Sequence, residues 1–160
     1  MKEVTIYCDG CSLGNPGPSG WACILKYKDT ERHISGTIAY ATGNQAIVIS
    51  AIHGFKSLKE PCYVTLYTNS KYLINGATGA FEQHVNQALF GELNDYIAEH
   101  KVTWIHISHK TYLTKENVSV LAKVAASKCC INLSDAEEVP DDKTYKEISE
   151  GCIQESLELY

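Results

Sequence analysis

Val4, Ile6 and Cys8 alternate with Thr5 and Tyr7, a two-residue period that predicts a strand over Val4–Cys8. A stretch rich in glycine and proline follows, then a second predicted strand, Trp21–Lys28, and a third, Glu31–Ala39, joined through Lys28-Asp29-Thr30. From Gly43 to Leu58 the period changes. Ile47, Ile49, Ala51, Ile52, Phe55 and Leu58 spread around most of a helix, as in a buried one, and Pro61 stops it. Tyr63–Tyr67 predicts a fourth strand and Ser70–Asn75 a short helix. Asn86–His100 is amphipathic through Leu89, Phe90, Leu93 and Ile97, Val102–Ile107 alternates as a fifth strand, and Lys115–Lys128 predicts a last helix.

Three early strands joined as hairpins, then strands alternating with helices, predict an α/β fold with a five-stranded mixed sheet flanked by helices. The first three strands run antiparallel, and the fourth and fifth run parallel to the first. Residues 1–130 form this domain, and 131–160 an appended extension. Within the extension Tyr145, Ile148, Cys152, Ile153, Leu157 and Tyr160 recur every three to four residues, which predicts a short amphipathic helix. Asp142 or Thr144 would cap it, and Thr144 with Glu147 fits a capping box. Such a stripe either docks on its own domain or binds a protein partner through residues 145–160.

Charge divides the chain at the same boundary. Residues 1–130 carry 12 Lys/Arg against 10 Asp/Glu, whereas 131–160 carry 2 against 9, so a nearly neutral body bears an acidic tail. A protein gripping nucleic acid through phosphates alone would show a basic stripe, and none is evident. The composition, 44% hydrophobic and 21% charged, is that of a soluble globular protein, with no apolar run near the ~20 residues of a membrane span. No signal peptide is recognisable, so a cytoplasmic location is expected. The seven scattered cysteines read as buried free thiols. Cys8-x-x-Cys11 lacks the second pair that would complete a zinc site.

The chemistry-bearing motifs come in a fixed order. Asp9-Gly10 ends the first apolar run, and Gly14-Asn15-Pro16-Gly17-Pro18 follows. Ala41-Thr42-Gly43-Asn44 opens the first helix, Leu66-Tyr67-Thr68-Asn69-Ser70-Lys71-Tyr72 ends the fourth strand, and Val102-Thr103-Trp104-Ile105-His106-Ile107-Ser108-His109 precedes a helix carrying Leu121-Ala122. From Val4 to about Lys128 this pattern resembles type 1 ribonuclease H. The resemblance implies the ribonuclease H-like fold. It also implies a two-metal hydrolysis of RNA in RNA/DNA hybrids, in which carboxylates hold a pair of Mg²⁺ or Mn²⁺ ions about 4 Å apart.

Four acids do this in the family, and only Asp9 is present here. Ile47 stands at the helix position and Asn69 at the strand end. The last acid aligns with Ser119 when Leu121-Ala122 is the anchor, or with Leu121 when Glu116-Asn117 is. No acid lies between Asn117 and Ser134, and Glu116 sits at the helix start, a poor substitute. His109 matches the histidine that the family places beside its metals. One carboxylate with neutral dipoles does not concentrate two divalent cations. The expected protein is therefore a nucleic-acid-binding pseudoenzyme without a resident cofactor, Mg²⁺ or Mn²⁺ being required only if the chain is active.

The resemblance further implies substrate contacts from Gly10, Cys11, Ser12, Asn15, Thr42 and Asn44, directed at an RNA/DNA hybrid or double-stranded RNA. Asn15 has a competing role as a turn residue. Lys71, Lys110, Lys115 and Lys123 could add phosphate contacts, but Gly76–Asn86 holds no Lys or Arg where many relatives carry a basic protrusion. Two alternatives stay open: a divergent active ribonuclease H that uses Asp9, His109 and acids such as Glu116, and a protein-interaction scaffold.

Overall fold

The computed structural model describes residues 1–79, 85–108, 118–132 and 153–155. β1 (Lys2–Ser12) continues past the predicted end at Cys8, and β2 (Gly17–Tyr27) begins well before Trp21. The glycine/proline loop is thereby reduced to 13–16, and Leu13 N–H donates to the Pro18 carbonyl across it at 2.8 Å. β3 (Thr30–Ala41) completes the antiparallel meander. α1 (Gly43–Lys56) carries a full capping box: Thr42 Oγ1 accepts from Gln45 N–H at 3.1 Å, while Gln45 Oε1 accepts from Thr42 N–H at 2.9 Å. β4 (Cys62–Thr68) and β5 (Lys101–His106) add parallel to β1, with α2 (Lys71–Thr78) and α3 (Gln87–Ile97) between them. α4 (Val118–Asn132) follows.

The sheet order is β5-β4-β1-β2-β3-β6, so the expected five-stranded mixed sheet is present with a sixth strand at its edge. β6 (Ile153–Glu155) corrects the amphipathic-helix expectation where it can be compared. Ile153, Gln154 and Glu155 pair with Gly36, Ser35 and Ile34 on the outer edge of β3. Open backbone groups on an edge strand reward an extended partner, which outweighs a weak helical stripe. The rest of that stripe lies outside the described residues.

α1 is buried along nearly its whole length against one face of the sheet, where Ile6, Trp21, Ile38, Phe55, Leu66 and Leu93 share one core. α4 covers the other face over Ala22 and Ile24. Two glycines set these distances. A Cβ at Gly10 would lie 2.5 Å from the backbone nitrogen of Ile47, and one at Gly20 would lie 2.3 Å from the Ala122 carbonyl oxygen. Both helices therefore approach the sheet backbone more closely than an alanine would permit.

Candidate functional site

The parallel register of β1 and β4 pairs Tyr7 with Tyr67, so the strands carry Asp9 and Asn69 to neighbouring positions. Gly10 presses on α1 at Ile47, and Ser119 approaches from the first turn of α4. The four positions singled out from the sequence thus converge on one place. Asp9 is 7% exposed, Ile47 5% and Ser119 1%. Asp9 Oδ1 accepts from Gly10 N–H at 2.8 Å, and Oδ2 accepts from the Ser119 hydroxyl. This contact selects Ser119 over Leu121 as the residue facing Asp9.

Ile47 belongs to the apolar core. Asn69 is half-buried, just ahead of Ser70, whose hydroxyl caps α2 by accepting from Leu73 N–H at 3.1 Å. Among the described residues no group of three or more His, Cys, Asp or Glu is placed to hold a metal ion. A pair of divalent ions needs several carboxylate oxygens, whereas these positions supply one carboxylate with both oxygens engaged, an amide, a hydroxyl and a hydrocarbon. The donor set does not fit the family's metal pair. His109, Glu116, Lys110 and Lys115 lie outside the described residues.

The thiols beside Asp9 are not poised for chemistry either. Burial pushes Cys8 up to about 12, with the Asp9 charge adding to it. Cys11 is raised by burial and then by Asp9, with Lys123 opposing. Cys8 packs in the α1-side core and Cys11 against Ala22 and Ile24 on the α4 side. Opposite faces of one strand cannot chelate a common ion.

At the adjoining sheet end a cleft of about 550 Å³ brings together Ser12, Asn15, Thr42 and Asn44. Gly10 and Cys11 do not line it. Asn15 Oδ1 accepts from Gly43 N–H at 2.8 Å, so the loop residue is tied to the start of α1 as well as shaping its own turn. Ser12 Oγ donates to the Ala41 carbonyl at 2.8 Å.

Three further polar lining residues escaped the sequence reading. Gln45 Nε2 donates to Asn86 Oδ1 at 3.1 Å, and Asn86 Nδ2 donates to the Tyr72 hydroxyl at 3.0 Å. Asn86 precedes α3 with φ +60° and makes no side-chain cap. An asparagine before a helix signals a cap from sequence, and here its amide is spent on the cleft wall instead. The cleft presents amides, hydroxyls and the N-terminus of α1, a lining suited to sugar hydroxyls and phosphate oxygens.

Fold and converging positions together define a ribonuclease H-type protein. The family model described as RNase H matches residues 1–127, and the chain belongs to the ribonuclease H family. Ribonuclease HI of Helicobacter pylori strain J99 is 37% identical over 137 residues, covering 80% of this chain and 96% of that protein. Ribonuclease H of Acetivibrio thermocellus is 39% identical over 121 residues, covering 67% and 82%. Among solved structures, Halobacterium salinarum RNase H1 superposes with a TM-score of 0.68 at 23% identity, covering 79% of this chain and 98% of its own. LC11-RNase H1, solved in complex with an RNA/DNA hybrid, gives 0.67 at 20% identity, covering 79% and 99%.

The Asp9–Ser119 contact makes a stability prediction. Ser119→Ala removes a donor from a buried carboxylate and should cost about 1–3 kcal/mol in urea unfolding. Ser119→Thr, which keeps the hydroxyl, should recover a large part of that loss. Equal losses in the two variants would assign the effect to packing.

Proposed function

We propose that this chain is a ribonuclease H-fold pseudoenzyme that binds RNA/DNA hybrid weakly through the Thr42–Asn86 cleft and does not hydrolyse it. The observation that carries this reading is the closure of Asp9 by Ser119 and Gly10, with Ile47 and Asn69 at the remaining ligand positions. The ribonucleases it resembles, and the hybrid complex of LC11-RNase H1, support the choice of nucleic acid. Asp9 and His109 are the retained catalytic positions, and Ile47, Asn69 and Ser119 are the degenerate ones. Ser12, Asn15, Thr42 and Asn44 are the substrate contacts, with Gln45, Tyr72 and Asn86 holding the wall behind them. Residues 1–130 form the binding domain and 131–160 an acidic extension.

Cys8, Cys11, Cys23 and Cys62 are free thiols, which supports a cytoplasmic setting. No helix among the described residues is long and apolar enough to cross a membrane.

Fluorescence anisotropy with a labelled hybrid at physiological salt should show binding at roughly 10⁻⁴ to 10⁻⁶ M, the range of sequence-independent contacts. Asn86→Ala should weaken it about threefold to tenfold, the loss of one or two hydrogen bonds. No product should form with Mg²⁺ or Mn²⁺. Cleavage that disappears in Asp9→Asn would establish a divergent active enzyme instead. Absence of binding would leave a protein-interaction scaffold.

A further inference from the structure

The hydrogen bond from Leu13 N–H to the Pro18 carbonyl makes these two residues a hydrogen-bonded pair where the β1–β2 hairpin turns. In an antiparallel ladder such pairs alternate with pairs that exchange no hydrogen bond and bring their side chains closer. The register runs without a break from Ser12 opposite Ser19 to Thr5 opposite Lys26. Counted along it from Leu13, Cys8 and Cys23 face each other directly, as a pair of the second, closer kind.

Both cysteines belong to the core beneath α1, and both are fully buried. Their thiols meet one residue of that helix. Cys23 Sγ donates to the Ser50 carbonyl, and the Cys8 thiol is hydrogen-bonded to the Ser50 side chain. Gly54 lies over the same spot, since a Cβ there would stand 3.3 Å from Cys23 Sγ. Directly opposed residues without ladder bonds have Cα atoms about 4.5 Å apart, inside the roughly 4.4–6.8 Å that a disulfide spans. Joining the two sulfurs therefore needs no rearrangement of the strands. Of the other described cysteines, Cys11 lies on the opposite face of the sheet, and Cys62 stands opposite Lys2 at the far end of β1.

We propose that Cys8 and Cys23 are a redox couple that closes into a cross-strand disulfide on exchange with an oxidised small-molecule disulfide. In the closed molecule burial keeps both thiols protonated, so exchange begins only when α1 lifts from the sheet. The exposed Cys23 thiolate then attacks glutathione disulfide and expels one glutathione thiolate. The Cys8 thiolate displaces the second, and the Sγ–Sγ bond forms. Two electrons pass from the couple to glutathione, and the two thiol protons go to the thiolates released. The link ties together the base of the hairpin that carries Asp9, Ser12 and Asn15. It also removes the Cys23 donor from the Ser50 carbonyl, so the seating of α1 responds to oxidation.

Full-length protein equilibrated in glutathione buffers of increasing oxidised fraction, then alkylated, digested and read by mass spectrometry, tests this. Each sample is pulsed through partly unfolding urea and dialysed back, so that slow opening does not limit exchange. The share of chains linked Cys8 to Cys23 should exceed the share in fully unfolded chain at least about tenfold, because the fold holds the sulfurs together. Reduced glutathione should reverse it. In Cys8→Ala, Cys23 should be recovered alkylated rather than linked to Cys11 or Cys62. A linked share no greater than in the unfolded chain would overturn the proposal. So would recovery of both cysteines as alkylated thiols in the most oxidised buffer.

Discussion

Replacing Ile47, Asn69 and Ser119 together by Glu, Asp and Asp is expected to raise Mn²⁺-dependent cleavage of RNA/DNA hybrid above the wild-type background. The backbone already carries these positions to Asp9: β1 and β4 are in parallel register, Gly10 lies on α1 at Ile47, and Ser119 reaches the Asp9 carboxylate. Four carboxylates in place of one restore the charge and hard oxygen donors that two divalent ions need. The expected gain over wild-type background is at least on the order of 10²-fold, or about 2.7 kcal/mol of barrier.

Without metal the same variant should be less stable than wild type. Ile47 and Ser119 are buried, and the new acids would repel Asp9 there. Adding Mn²⁺ should raise its Tm in proportion to the logarithm of metal concentration, while leaving the wild type unmoved. A folded triple variant that binds no Mn²⁺ would show that the scaffold has diverged beyond its ligands.

Acid should destabilise the wild type through His53. Its ring stacks on Trp21 with centroids 4.2 Å apart and planes 5° from parallel, and the residue is 8% exposed. Burial, and secondarily the Lys56 charge, lower His53 from 6.5 to about 4. The folded protein holds the ring neutral while the unfolded chain accepts a proton below about 6.5. Stability is therefore fully present above that pH and falls between about 6.5 and 4, by roughly 2–4 kcal/mol in total. His100 is lowered too, chiefly by burial, and its Nδ1 accepts from Cys62 N–H at 3.1 Å, so its protonation acts in the same direction. Urea unfolding at pH 7.5, 5.5 and 4.5 should show this slope, and His53→Gln should flatten most of it. An unchanged slope in His53→Gln would place the acid sensitivity elsewhere.

Much of this architecture is legible in the sequence because periodicity and punctuation agree. The alternation in β1 and β4, the all-round apolar helix α1 and the motifs around Asp9 and Asn69 are local signals. They place the degenerate positions before any contact is known. What escapes is decided by pairs distant in the chain. Gln45, Tyr72 and Asn86 are unremarkable separately and become a cleft wall only when α2 and α3 pack beside α1. Gly10 reads as a substrate-contacting turn, yet it sits within β1, and its missing Cβ admits the backbone of α1. Cys11 follows the strand's alternation to the α4 side, away from Ser12. Ile153–Glu155 fits a helical stripe and an alternating strand equally well by composition, and the open edge of β3 decides between them.

With Asp9 closed by Ser119 and Gly10, the proposed reading requires that wild-type protein gather no metal ions there. Electron paramagnetic resonance of free Mn²⁺ titrated with wild-type protein tests it most directly. The free-ion signal should be unchanged by stoichiometric protein, both with and without hybrid, and identical in Asp9→Asn. Loss of that signal at one or two ions per chain, abolished by Asp9→Asn, would contradict it.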